Sequence, residues 1–246
     1  MPTAGAPAQL EITIASKVYR SPRGAPVEVV RGFELRLPAG RFGALIGPSG
    51  CGKTTILRIV AGLITQFDGK LTLPGAGRLG VVFQEPRLLP WRSVEDNIRL
   101  VLDPAMPPPD LDALFAVLGL GEHRRHYPGE LSLGLARRVA IARAFVISPD
   151  LLLLDEPFVS LDNATASRLR AELAALCARR PVTALLVTHD LDEAIELADT
   201  LFFVSARPAR VLAEVPVTIA RGTRTPEAVA RFRAGLKGLM PGNELK

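Results

Sequence analysis

The residues with the most chemistry in them stand together in one octet, Gly47-Pro-Ser-Gly-Cys-Gly-Lys53-Thr54, with Thr55 directly behind it. The octet fits G-x-x-x-x-G-K-[ST]. Gly47, Gly50 and Gly52 let a chain curl so that backbone N–H groups, those of Ser49 and Cys51 included, surround phosphate oxygens; Pro48 belongs to the same turn. Lys53 is placed to reach the β and γ phosphates of a nucleoside triphosphate, and the Thr54 hydroxyl can ligate Mg²⁺. A helix opening at this point adds positive potential at its N-terminus. The octet therefore predicts binding of ATP or a similar triphosphate.

Three further positions fit that chemistry. Leu151-Leu-Leu-Leu-Asp155-Glu156 reads as a buried strand ending in two carboxylates. Parallel sheets bind ligands at the carboxyl ends of their strands. Asp155 suits Mg²⁺, and Glu156 suits orienting and deprotonating an attacking water. His189 follows another apolar run in Val187-Thr-His-Asp190, where it can contact a γ-phosphate. Gln84 ends a third run and can sense Mg²⁺ or water.

These residues need a particular set of elements behind them. Leu10, Ile12 and Ile14 alternate with polar residues, as do Phe33, Leu35 and Leu37, which predicts antiparallel strands in the first forty residues. From Phe42 the pattern changes to short continuous apolar runs alternating with helical periods, the mark of a parallel sheet covered on both faces. The runs are Phe42–Ile46, Leu79–Phe83, Leu151–Leu154, Val182–Val187 and Leu201–Val204. Helical faces are predicted at Leu57, Val60, Ala61 and Ile64, at Leu169, Leu173 and Leu176, and at Leu191, Ala194, Ile195 and Ala198. Glu85 to about Ser148 reads as a helical insertion, broken at Asp103-Pro-Ala-Met-Pro-Pro-Pro109 and carrying a face of Leu111, Leu114, Phe115 and Leu118. The expected fold class is α/β, with a parallel-sheet nucleotide-binding core, an N-terminal antiparallel β-layer and an inserted helical subdomain.

Bulk properties narrow the options. At 246 residues the chain suits one core with an insertion. It is 48% hydrophobic, yet no stretch approaches the roughly 20 apolar residues of a bilayer span. The opening MPTAGAPAQLEITI lacks the layout of a secretory signal, and Cys51 and Cys177 give no disulfide framework, so a reducing cytoplasm is expected. The net charge of +5 admits anionic partners without choosing one. Arg124, Arg125, Arg137, Arg138, Arg143, Arg179 and Arg180 are read as mostly a solvated face, and no aromatics interleave with them as base stacking would require.

Taken in order, the marks resemble the ATP-binding cassette (ABC) family over nearly the whole chain. They are Tyr19, the octet at 47–54, Gln84, Leu131-Ser-Leu-Gly134, Asp155-Glu156-Pro157, Ser160-Leu-Asp162 and His189. The resemblance implies a P-loop NTPase core of the RecA-like kind. Residues 1–84 and 149–220 would form the ATP-binding core with its β-layer, 85–148 the helical subdomain, and 221–246 a short extension, all within one nucleotide-binding domain. It further implies that Tyr19 stacks on adenine, and that Ser132, Gly134 and Asp162 meet the ATP of a second, head-to-tail copy. Leu133 and Leu135 depart from the family's signature, which has Gly and Gln there.

Gln84-Glu-Pro-Arg-Leu-Leu-Pro-Trp91 and Val94-Glu-Asp-Asn97 resemble the importers of nitrate, sulfonates and taurine, as does the short C-terminus. By that resemblance the partners are membrane-spanning permease subunits and, indirectly, a solute-binding protein, at the cytoplasmic face of the inner membrane, with no nucleic acid expected. Leu88-Leu89-Pro90-Trp91 would suit a groove for a short helix of the membrane subunit, or an ordinary loop anchor. The competing readings are a soluble ABC ATPase acting on nucleic acid or ribosomes, a lipid or export system, and a small-molecule kinase.

Overall fold

The computed structural model describes residues 9–20, 24–105 and 109–236. In chain order its elements are β1 (Gln9–Tyr19), β2 (Val27–Pro38), β3 (Phe42–Ile46), α1 (Lys53–Val60), β4 (Asp68–Thr72), β5 (Leu79–Val82), α2 (Val94–Arg99), α3 (Leu111–Val117) and α4 (Leu133–Phe145). Then come β6 (Leu151–Asp155), α5 (Asn163–Arg179), β7 (Thr183–Thr188), α6 (Leu191–Leu197), β8 (Thr200–Val204), β9 (Val211–Pro216) and α7 (Pro226–Gly235). The fold is α/β, and it divides into two compact units, Met1–Ala76 with Thr183–Lys246, and Gly77–Val182. The cuts fall at 77 and 183, so β5, β6 and α5 group with the helices of residues 85–148.

In the first unit, β1 pairs antiparallel with both β2 and β4. Leu10, Ile12 and Ile14 are buried on one face, as their alternation requires. The strand β4 carries Asp-Gly-Lys with little apolar signal, which is why periodicity missed it. A second sheet runs β7-β3-β8-β9. Its three parallel strands are buried nearly throughout, whereas β9 is antiparallel, alternates in burial and lay outside the sequence reading.

The helix α1 is shorter than its apolar spacing implied: Ile64 lies beyond it, and Ile56, Leu57, Ile59 and Val60 are the buried residues. Gly62, at φ +71°, ends it. The N–H of Gly62 bonds to Ile59 O and that of Leu63 to Arg58 O, the paired closure of a left-handed helix end. Within the stretch 221–246, α7 packs on α6; residues 237–246 lie outside the described set.

In the second unit, β5 and β6 pair in parallel and α4 covers β5. A Cβ on Gly80 would lie 2.6 Å from Ala144 O, so the glycine lets helix and strand approach this closely. Leu169, Leu173 and Leu176 of α5 are buried, and so are Leu111, Phe115 and Leu118 of the α3 region. Met106 to Pro108, part of the predicted proline break, lie outside the described residues.

The solvated-face reading of the arginines is corrected. Arg137 is buried, with its guanidinium donating to Phe83 O (3.2 Å) and Val159 O (3.3 Å). Arg143 donates to Arg87 O (2.9 Å) and Pro86 O (2.8 Å). Burial lowers the pKa of both guanidinium groups. Arg138 pairs with Glu172 at 3.0 Å, and Arg124 with Asp112 while lying over the Phe115 ring. Arg125, Arg179 and Arg180 are exposed as expected. A helical Arg reads as polar whichever way it faces, because its long stem can lie on apolar surface while its donors serve buried carbonyls.

Candidate functional site

In the first unit, β3 is wholly buried between the parallel strands β7 and β8. Ile46 is in register with Thr188 and with Phe203, so Gly47, His189 and Val204 leave the sheet at one level, at its carboxyl edge. The chain then turns through Gly50 (φ +75°) and Gly52 (φ +124°), and Gly52 caps α1. These are left-handed backbone positions that favour glycine. Cβ atoms would be blocked as well: one on Gly47 would meet Val204 O at 2.8 Å, and one on Gly52 would meet Val29 Cγ1 at 2.9 Å.

Lys53 is buried at 4% exposure, and its ammonium donates to Gly47 O (2.7 Å) and Pro48 O (2.9 Å), 3.9 Å from Cys51 Sγ. A cation is thus fixed across a loop that opens a helix, the arrangement an oligophosphate needs. Thr54 and Thr55 follow in the first turn of α1.

The turn bearing His189 is fixed from both sides. Thr188 Oγ1 donates to Glu193 Oε2 (2.8 Å) and accepts from the N–H of Asp190 (3.0 Å). Asp190 caps α6 by accepting from the N–H groups of Asp192 and Glu193. His189 itself is exposed at that edge. Tyr19 ends β1 in a groove lined also by Arg20, Leu63, Ile64 and Thr65. The Lys17 ammonium sits 4.7 Å from its ring centroid and donates to Gln66 O. The tyrosine is 42% exposed, so a face is open to a planar partner.

In the second unit, Val82 is in register with Leu154, so Gln84 and the Asp155-Glu156 pair emerge together from adjacent strand ends. Asp155 is buried at the end of a strand with no exposed residue. Glu156 holds φ +45°, a left-handed conformation unusual for a residue with a Cβ and a mark of functional turns. Ser132 caps α4, its Oγ accepting from Leu135 N–H (3.3 Å). Asp162 caps α5 by accepting from Thr165 N–H (2.9 Å), and the hydrogen bonds from Thr165 hold its carboxyl below the usual range. A Cβ on Gly134 would lie 2.7 Å from Thr165 Cγ2, so Thr165 brings the turn at 132–134 against the turn at 162. Leu133 takes the first helical position of α4 with its side chain 41% exposed, a conformation that does not demand glycine.

Sequence reasoning named Asn97 only as part of a motif and missed its role. It is fully buried: its Oδ1 accepts from Leu89 N–H (2.8 Å) while its Nδ2 donates to Leu89 O, Arg92 O and Ser93 O. The signal was available, since Val94, Asn97 and Ile98 share one helical face and the other two are apolar. Arg137 and Arg143 also have apolar residues three and four positions away on α4, but so does Arg138, so the signal does not single them out.

Parallel strands whose carboxyl ends carry a glycine phosphate loop, a histidine turn and an acidic pair define the class of P-loop nucleotide hydrolases. Within it, the chain belongs to the ABC transporter family, whose match covers residues 30–159. It is 42% identical over 96% of its length to the aliphatic sulfonates import ATP-binding protein SsuB 2 of Burkholderia cenocepacia, covering 88% of that protein. The corresponding protein of Bacillus subtilis is 39% identical, with 88% of each chain covered. Among solved structures, a bacterial ABC transporter cassette described as dimeric superposes with a TM-score of 0.73 at 24% identity, over 86% of this chain and all of that one. A post-hydrolysis state of that cassette, bound to ADP and Pi, gives 0.70.

Proposed function

We propose that this chain is the ATP-hydrolysing, energy-coupling subunit of an ABC importer, with aliphatic sulfonates or a similar small anion as cargo. The observation that carries this reading is the phosphate loop at 47–54, together with 42% identity along almost the whole chain to an aliphatic sulfonates import subunit. Lys53 and the loop N–H groups bind the β and γ phosphates, and Tyr19 stacks on the adenine. Glu156 is the general base that takes the proton of the attacking water, and His189 contacts the γ-phosphate.

Thr54, Asp155 and Gln84 offer a hydroxyl, a carboxylate and an amide oxygen, all hard donors that fit Mg²⁺. Among the described residues no group of three or more His, Cys, Asp or Glu could hold a metal alone. When bound, Mg²⁺ would neutralise developing phosphate charge.

The working unit is a head-to-tail dimer in which Ser132, Gly134 and Asp162 face the partner copy's ATP. Membrane-spanning permease subunits couple to it, and a solute-binding protein delivers the cargo. No helix among the described residues is long and apolar enough to cross a membrane, so attachment at the cytoplasmic face of the inner membrane would run through the permease. The exposed Trp91, on a loop held by Asn97, is the anchor we assign to that contact.

The test is Glu156→Gln in the assembled transporter. Removing a general base lowers turnover by about 10²–10⁴-fold while ATP binding persists, and the ATP-bound dimer should accumulate on gel filtration. Near-normal turnover would remove Glu156 from this role. Uptake of a labelled sulfonate into vesicles, set against nitrate and taurine, decides the cargo.

A further inference from the structure

We infer that Arg207 is a positioning residue for ATP binding, holding the phosphate loop in its anion-binding form. The inference rests on the reading of 47–54 as the ATP site. Arg207 lies in the connection between β8 and β9, and its Nη2 donates to Gly50 O at 2.7 Å.

Gly50 is the residue where that carbonyl matters most. At φ +75° with no Cβ, its backbone meets little steric resistance to rotation. The carbonyl faces Arg207, and the following N–H, that of Cys51, points the opposite way in the same peptide plane and donates to Pro48 O at 3.3 Å. In the rotated orientation the carbonyl oxygen would point where the phosphates bind, and two negative groups would oppose each other. The guanidinium, acting from outside the loop, holds this orientation together with the Cys51–Pro48 bond and without touching the nucleotide.

The segment that carries Arg207 is built to hold still. Ser205 Oγ donates to Pro208 O (2.9 Å) and accepts from Arg210 N–H (3.1 Å). Ala209 bonds through its N–H to Val29 O, and through its carbonyl to the N–H of Arg31. The end of β8 and the same connection also touch the loop at its other two glycines. Val204 O is the atom a Cβ on Gly47 would meet, and Ala209 Cβ would lie 3.3 Å from one on Gly52. All three loop glycines therefore abut a single segment, residues 204–209, from which Arg207 donates a hydrogen bond to the loop.

The experiment compares Arg207→Ala, Arg207→Lys and Arg210→Ala in the purified chain, with ATP, ADP and AMP binding followed by fluorescent-nucleotide displacement. ATPase KM and kcat are then read in the assembled transporter. A hydrogen bond from a charged donor is worth about tenfold in an equilibrium. Arg207→Ala should weaken ATP and ADP binding by about that factor and raise KM accordingly, with kcat changed less than about twofold. AMP, which has no β or γ phosphate, should be unaffected. Arg207→Lys should recover part of the loss, and Arg210→Ala should match wild type.

Unchanged ATP affinity in Arg207→Ala would overturn the inference. So would equal weakening of ATP and AMP, or a loss confined to thermal stability. If the wild-type chain bound no ATP, or Lys53→Ala bound it normally, the ATP-site reading itself would fail instead.

Discussion

Two loops of this chain leave the carboxyl ends of parallel strands and are built on opposite principles. The loop at 47–52, after β3, takes its shape mainly from its own residues: glycines occupy its left-handed positions and its close contacts, its own lysine bonds back to its carbonyls, and Arg207 adds one bond from outside. The loop at 83–93, after β5, contains no glycine. Its carbonyls are instead held by side chains from the helix that follows it, α2, and from the more distant α4. Arg137 takes Phe83 O, Arg143 takes Pro86 O and Arg87 O, and Asn97 takes Leu89 O, Arg92 O and Ser93 O. The difference suits what each presents. The first is read as turning backbone N–H groups toward an anion, and the loop uses few side chains to hold itself. The second has no anion to serve, so its polar groups can be consumed internally while Trp91 stands 70% exposed.

The sharpest separation should come from Lys53→Ala. Removing the cation should cut ATPase activity by about 10²–10³-fold. Urea melts should change little, because the loop's shape rests on glycine geometry. A large loss of stability would break the contrast. Asn97→Ala should do the reverse. It strips the buried partners from four backbone groups and should cost about 3 kcal/mol in equilibrium unfolding. ATP affinity of the folded protein should stay near wild type, and coupling to the permease should suffer.

Gly52→Ala tests whether the first loop really depends on glycine. The methyl would sit at φ +124° and 2.9 Å from Val29 Cγ1, a cost of about 2 kcal/mol with a matching loss of nucleotide affinity. The smallest expected effect is that of Arg143→Met, which keeps the packed stem and loses two bonds, for about 1 kcal/mol. Its readout is proteolytic cleavage at Arg87, which should quicken. Unchanged cleavage would mean that Asn97 and Arg137 hold that loop unaided.

Some helix starts carried a local signal that the motif reading left unused. Ser132, Asp162 and Asp190 each cap the helix that follows them, a role written in local residue types. The strands β3, β6 and β8 were found because continuous apolar runs in short segments mean burial on both faces. The end of α1 was misplaced because Leu57, Val60, Ala61 and Ile64 keep a helical period across Gly62, and the glycine's left-handed turn outranked it. The strand β4 was missed because its partners, not its composition, make it a strand.

The amino-acid sequence alone therefore determined the phosphate loop, the parallel strands behind it and the acidic pair, because backbone freedom, apolar runs and charge are properties of residues a few positions apart. Only the tertiary structure decided which arginines are braces, that Asn97 secures the loop bearing Trp91, and that Arg207 reaches Gly50 across 157 positions of chain. A long polar side chain looks alike in sequence whether it meets water or a carbonyl, and the carbonyl it meets is chosen by packing.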